Sequence, residues 1–251
     1  MTGFLDECSF LGPLESFDPA AFDGDGEVSQ DLCDFVLSLA LMYNDLKDEI
    51  YAHEAVFALM PAGQPTPTRL RGAISGVQLH AFRATCALLF ELFTVINEKR
   101  ELLCEDFFRR VVKQLPKAER EAWGAVVNVA RGTSKPKTEL GKKLLLFRNK
   151  VGSHYDTEEI ARGFKHFFEV VRPLSRAYVS RGQSMRETRF YFADAAMQGY
   201  LIVRHGSPEL QELKGQIAGV VEIVNFSLKA IVQTFIQSRG SAFRGEAEAE
   251  S

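Results

Sequence analysis

The amino-acid sequence predicts an all-α protein, a helical bundle built on two long antiparallel helices. Apolar residues recur every three or four positions over residues 29–60, 70–96 and 207–235, which is the period of an amphipathic helix. Prolines and glycines are concentrated in short segments between these runs, where they end helices. With 251 residues, of which 46% are hydrophobic and 25% charged, the chain is long enough to bury its own core.

The N-terminal residues 1–27 are predicted to form an acidic, irregular arm. They contain seven carboxylates and neither Lys nor Arg, and Gly12-Pro13, Pro19 and Gly24-Asp25-Gly26 interrupt any long helix. This arm either solubilises the protein or lies over basic residues elsewhere in the chain as a mimic of RNA. We expect the helical domain to extend over residues 28–240 and to be followed by a frayed acidic tail at residues 241–251.

The helical domain is predicted to begin with its two long helices. The apolar stripe of the first helix runs from Leu32 to Met60, and the proline-rich segment 61–68 ends it because proline cannot continue the helical hydrogen-bond ladder. The stripe of the second helix runs from Leu70 to Ile96. Two shorter helices, at residues 101–115 and 117–130, should follow on either side of Pro116.

The second half of the domain is predicted to contain three more helices and one irregular segment. One helix follows Pro136, and another runs from Thr157 to about residue 172. Residues 188–203 are rich in aromatic and β-branched residues, so a short β-hairpin insertion is possible there. The last helix begins at Ser207-Pro208-Glu209, which combines a capping residue, an early proline and a carboxylate in the first turn.

The composition favours a cytoplasmic protein without metal or cofactor. Cys8, Cys33, Cys86 and Cys104 show no metal-ligand or disulfide spacing, which indicates reduced thiols. The N-terminus lacks the basic start and apolar stretch of a signal peptide. We identify no uninterrupted run of eighteen apolar residues, so no membrane contact is expected.

A basic cluster lies between residues 131 and 154. Seven cations stand there against the single carboxylate of Glu139, although the formal net charge of the chain is -3. This cluster either attracts a polyanion such as RNA or is a solvated helix face. Four members of the cluster are candidate substrate-binding residues: Arg131, Lys142, Lys143 and Lys150.

The candidate catalytic residues are Arg148, Asn149 and His154, at the end of the helix after Pro136. Arginine is a permanent planar cation matched to phosphate oxygens, and histidine exchanges protons near neutral pH. Together they suffice to cleave RNA through its own 2′-hydroxyl without a metal, with His154 as general acid or base and Arg148 stabilising the phosphate charge. Asn149 could hold the phosphate or orient the histidine.

Geometry favours a dimer. Six residues of a regular helix separate Arg148 from His154 by about 120° around the axis. The two side chains converge if the helix distorts near Gly152, or if two subunits each contribute to one composite cleft. We favour the second arrangement.

The segment Arg148-Asn149-Lys150-Val151-Gly152-Ser153-His154 resembles the motif of the HEPN superfamily, in which four to six residues, commonly beginning with a polar one, separate an arginine from a histidine; here five residues separate them. The resemblance implies an all-helical, dimerising, metal-independent endoribonuclease of a toxin-antitoxin or phage-defence system, with Arg148, Asn149 and His154 in its active site. Some members carry a tyrosine two residues after the histidine, where a partner antitoxin attaches nucleotides; here that position is Asp156.

Two other interpretations of these residues stay open. Arg148 and Lys150 could be solvated cations favoured by the negative end of the helix dipole, while His154 caps or packs. Alternatively, the chain is a non-catalytic helical module for dimerisation or for binding a protein, RNA or nucleotide. An enzyme should place Arg148 and His154 within reach of one phosphate in an exposed basic cleft.

Overall fold

The computed structural model describes residues 15–58, 69–133, 139–147, 156–173, 175–181, 183–184 and 187–245. Within them, eight α-helices account for most of the chain, as the sequence predicts. Their bounds in chain order are α1 Gln30–Ala58, α2 Arg69–Glu98, α3 Asp106–Gln114, α4 Lys117–Thr133, α5 Glu139–Leu146, α6 Thr157–His166, α7 Tyr191–His205 and α8 Ser207–Ser238. A 3-10 turn, Leu102–Cys104, precedes α3, and a π-helical turn, Phe167–Val171, continues α6.

The long helices form the centre of the bundle. Helix α1 packs on α2 and α8, while α4 packs on α2 and α8 from another side. Ile50 near the end of α1 and Gly72 near the start of α2 line one cavity, as expected for antiparallel neighbours. The helices share one hydrophobic core, whose fully buried side chains include Leu39, Phe93 and Phe235.

Local sequence signals begin several of these helices. The Ser29 hydroxyl accepts a hydrogen bond from the Leu32 amide at 3.1 Å and caps α1. The Asp156 carboxylate accepts one from the Glu159 amide at 3.2 Å and caps α6. Pro208 lies in the first turn of α8, where its missing amide hydrogen is not needed.

The β-hairpin expected at residues 188–203 is wrong, because Tyr191–His205 forms helix α7. Its buried residues Ala196, Met197, Tyr200 and Leu201 follow the helical period and face the core. The extended pairing found nearby is an isolated antiparallel bridge between Ser180 and Arg189. Burial on one helical face therefore outweighs the β-propensity of the aromatic residues that precede it.

The acidic arm and the C-terminal tail are joined to each other. Strand β1, Glu15–Ser16, pairs antiparallel with strand β2, Arg244–Gly245, so the frayed tail predicted from residue 241 is wrong for residues 241–245. The Ser241 hydroxyl accepts a hydrogen bond from the Asp18 amide at 2.9 Å. The guanidinium of Arg239, whose side chain is only 10% exposed, fastens this junction.

Arg239 binds three acceptors of the arm. It donates to the backbone carbonyl of Ala21 at 3.1 Å, to that of Asp23 at 2.7 Å and to the Asp25 carboxylate at 2.7 Å. That bond, with the amides of Glu27 and Val28, lowers the pKa of Asp25 to about 2. Glu27 pairs with a further cation, Arg110.

Two described carboxylates of the arm therefore bind cations outside the basic cluster of residues 131–154, since Asp25 pairs with Arg239 and Glu27 with Arg110. That residues 1–27 cover this cluster as an RNA mimic stays a prediction, because four of the seven cations of the cluster lie outside the described residues. The first fourteen residues of the arm lie outside the described residues.

Candidate active site at the end of helix α7

A close crossing of α6 and α7 determines the geometry around the candidate site. Gly163 of α6 lies against Gly199 of α7, and both are buried. A Cβ atom on Gly163 would lie 2.5 Å from the Tyr200 amide nitrogen, and one on Gly199 would lie 2.9 Å from the Phe167 Cβ. Only glycine permits this approach, so the two backbones touch at this level.

One helical turn from the crossing, a buried carboxylate joins the two helices. Glu159 of α6 is 8% exposed, and its carboxylate accepts a hydrogen bond from the Arg204 guanidinium of α7 at 2.9 Å. Arg162 lies 3.3 Å from the other carboxylate oxygen. The Tyr200 side chain, then the carboxylates of Glu159 and Asp156, raise the pKa of Arg204, so this cation is permanently charged.

His205, the last residue of α7, lies beside the helix that leads into the motif. Its imidazole stacks on the Phe147 ring, with a centroid distance of 5.9 Å and an interplanar angle of 4°. Burial, then the charges of Lys143 and Arg204, lower the pKa of His205. The imidazole is therefore neutral near pH 7, and its buried Nε2 atom has no hydrogen-bond partner among the described residues.

The catalytic candidates Arg148, Asn149 and His154 lie outside the described residues, as does Lys150. The nearest described residues on either side of these candidates are Phe147 and Asp156, and both lie near the end of α7. Phe147 stacks on His205, and the carboxylate of Asp156 acts on Arg204. The chain therefore enters residues 148–155 beside His205 and leaves them three residues before Glu159, the partner of Arg204.

The remaining binding candidates are not gathered at one point. Lys143 is half-buried on α5 and is close enough to His205 to lower its pKa. Lys142 is exposed on the same helix, and Arg131 is exposed in the last turn of α4. The structure thus brings one of the described candidates, Lys143, to the end of α7.

The sequence interpretation missed Arg204, His205 and Glu159. Arg204 and His205 directly follow the expected hairpin, although two basic residues before a glycine such as Gly206 are typical of a helix C-terminus. Arg162 and His166 lie four residues apart in the sequence, which favours a surface pairing of the two over a role as helpers of the site. Arg162 instead pairs with Glu159, three residues before it.

A cavity of about 840 Å³ lies between α2, α7 and α8. Its wall is mainly apolar, with Leu79, Phe82 and Leu201 among the lining residues, and polar groups of Asp194 and Lys214 also face it. This volume and lining are typical of pockets that bind small organic molecules.

Metal and membrane contacts have few candidates in the part of the chain that the structure describes. No group of three His, Cys, Asp or Glu side chains there could hold a metal ion. Two described helices, Gly72–Glu98 and Ser207–Ser238, are long and apolar enough to cross a membrane by length and composition. Both supply residues to the hydrophobic core, and core helices of soluble proteins pass the same test.

Comparisons with known proteins give no match for this chain among protein-family models, curated proteins or solved structures. The functional interpretation therefore depends on the residues and contacts described above.

Proposed function

We propose that this protein is a HEPN-like, metal-independent endoribonuclease that acts in the cytoplasm as a toxin or in phage defence. The observation that carries the proposal is the motif from Arg148 to His154 in an all-helical bundle. Support comes from the described flanks of the motif, which lie beside the cations Arg204 and Lys143. Cations around a reaction centre favour the binding of a phosphodiester and the charge that develops on it.

The proposed reaction uses the RNA as its own nucleophile. His154 accepts the proton of a 2′-hydroxyl, the 2′-oxygen forms a bond to the adjacent phosphorus, and the bond from phosphorus to the 5′-oxygen breaks. The leaving 5′-oxygen takes a proton from water. Arg148 stabilises the phosphorane charge, and Asn149 holds the phosphate or orients the histidine. The products are a 2′,3′-cyclic phosphate and a 5′-hydroxyl.

The test is cleavage of an end-labelled RNA pool in EDTA by the wild-type protein and by the Arg148→Ala and His154→Ala variants. We expect metal-independent cleavage with cyclic-phosphate ends, reduced at least about a hundredfold in both variants. His80→Ala and Lys229→Ala are matched controls, because both residues are exposed on helices α2 and α8. Intact RNA after incubation with folded wild-type protein would refute the proposal.

A homodimer with a composite cleft is part of the proposal. Mixing Arg148→Ala with His154→Ala subunits should restore part of the cleavage, because the mixed dimer regains one intact arginine and one intact histidine in its shared cleft. A mixture as inactive as either variant, with subunit exchange verified, would assign both residues of each site to one subunit. A regulatory antitoxin would be expected to cover this cleft.

The cavity between α2, α7 and α8 favours a second candidate function, a non-catalytic module that binds a nucleotide-sized ligand. Lys214 and Arg172 are exposed cations among its lining residues and could bind a phosphate of that ligand. Under this alternative, nucleotides should raise the thermal midpoint of the wild-type protein but not of Lys214→Glu. Lys229→Glu is the control on the same helix.

A further inference from the structure

An exposed group of aromatic rings lies on α6 and at the start of α7. We name it the phenylalanine surface, and it consists of Phe164, Phe168, Phe190 and Phe192. The rings contact one another in a row, with centroid distances of 5.8 Å from Phe190 to Phe192, 6.4 Å from Phe192 to Phe164 and 4.8 Å from Phe164 to Phe168. Phe190 is 56% exposed, Phe164 39% and Phe192 37%, so water reaches rings that a core would bury.

Exposed cations outnumber exposed carboxylates in the chain around this surface. Residues 157–194, from the start of α6 to just past the last ring, contain seven cations and five carboxylates. Two of the cations are neutralised within the fold, since Arg162 pairs with Glu159 and Arg189 with Asp194. Four others are exposed: Lys165, Arg172, Arg176 and Arg181.

This charge pattern indicates the kind of partner. A two-fold contact between copies of the chain through this surface would bring a second set of the same exposed cations to it, whereas a polyanion brings only negative charge. Exposed aromatic rings with cations around them are the features by which proteins bind single-stranded nucleic acid, because bases stack on the rings and phosphates pair with the cations.

The surface is also on the helix that starts at the candidate active site. Helix α6 begins three residues after His154, and Phe164 lies seven residues beyond Thr157, about 10 Å along the helix axis. An RNA strand bound across the rings can therefore extend to the start of α6.

We propose that the phenylalanine surface binds single-stranded RNA by base stacking and presents the strand to Arg148 and His154. The substrate class is unpaired RNA, since the bases of a duplex are stacked on each other and cannot reach the rings. The delivery of the strand for cleavage rests on the ribonuclease activity proposed above, whereas the binding of RNA does not.

The test measures the fluorescence anisotropy of a 5′-labelled RNA of mixed sequence as the protein is added. The RNA has about twelve nucleotides, the length of one binding site on such a surface. The protein is the full chain with His154→Ala, so that the RNA is not cleaved. Phe190→Leu and Phe192→Leu retain apolar bulk but remove the ring, and each should weaken binding at least about fivefold. Phe190→Tyr retains the ring and should keep the affinity. Phe226→Leu is the matched control, because Phe226 is 45% exposed on α8 outside this surface. The same strand annealed to its complement should bind more weakly.

Unchanged affinity in both leucine variants, or no RNA binding by the parent protein, would overturn the proposal. So would dissociation of a dimer by Phe190→Leu in sedimentation with RNA affinity intact, since the surface would then contact protein. The two proposals fail separately. Ring-dependent binding without cleavage by the wild-type protein removes the ribonuclease alone, and cleavage that is indifferent to Phe190→Leu removes the RNA surface alone.

Discussion

The crossing of α6 and α7 predicts that Gly163→Ala destabilises the protein. An added Cβ would lie 2.5 Å from the Tyr200 amide nitrogen and 2.8 Å from the Tyr200 Cβ. These neighbours belong to the α7 backbone or are fixed to it, so they cannot rotate away and the helices must separate. Overpacking of this kind costs about 1–3 kcal/mol, and the higher helix propensity of alanine offsets about 1 kcal/mol.

Because the obstructing atoms are rigid, we expect the upper part of that range, a net loss of about 1–2 kcal/mol in the free energy of unfolding. Gly124→Ala and Gly219→Ala are the controls. A Cβ at either position meets nothing within 4 Å among the described residues, and both glycines are exposed on long helices. Each control should stabilise the protein by about 0.5–1 kcal/mol.

Urea unfolding followed by far-ultraviolet circular dichroism measures these differences. Gly163→Ala should lower the urea midpoint, and the two control variants should raise it, with unchanged slopes. If Gly163→Ala raises the midpoint as much as Gly124→Ala does, the helices do not cross as closely as the structure indicates.

Three further changes test other contacts. Asp25→Asn should lower stability, and because Arg239 lowers the pKa of Asp25 to about 2 from 3.8, the difference from wild type should be full above pH 4 and disappear toward pH 2 in urea titrations. Because the pKa of His205 is lowered in the folded protein, the unfolded chain binds the proton more readily, and wild-type stability should fall below pH 6.5. His205→Phe should remove this fall. If the free energy of unfolding changes equally with pH in both proteins, this reasoning is wrong. Arg204→Ala should cost about 1–3 kcal/mol by removing a donor from the buried Glu159 carboxylate, and Arg204→Lys less, as measured by thermal unfolding.

The parts of the fold that follow local rules could be predicted from the sequence. Helices α6 and α8 begin at Thr157 and Ser207, as the sequence indicates, and their starts depend on residues within one turn. The cap of α8 was predicted wrongly, because Gly206 and not Ser207 occupies that position. The all-helical class follows from the apolar period of the long helices. These features require no knowledge of which helix packs on which.

The misjudged hairpin shows where local evidence fails. Thr188 to Phe192 has high β-propensity, but Tyr200 and Met197 belong to a helical face whose partner is supplied by distant helices. Burial against that partner determines the secondary structure. The close contact of Gly199 with Gly163 also requires that its partner segment, α6, is a helix.

The candidate site was only partly predictable for the same reason. Phe147 and His205 stack on each other although 58 positions separate residues 147 and 205 along the chain. Arg239 binds the Ala21 carbonyl across 218 positions. No spacing rule connects such residues, whereas Arg148 and His154 could be paired because six positions separate them.

The glycine crossing connects the fold to the proposed chemistry. Gly163 and Gly199 bring Glu159 to Arg204, and α7 ends at His205 against Phe147, so α7 contacts both the residue before segment 148–155 and the first turn of the helix after it. Fixing the two ends of a short segment lowers the entropy that ordering it costs. Under the ribonuclease proposal, Gly163→Ala should therefore reduce cleavage beyond its effect on the folded fraction, whereas Gly124→Ala should leave cleavage unchanged. Equal cleavage rates of folded Gly163→Ala and Gly124→Ala would show that the motif does not depend on the position of α7 against α6.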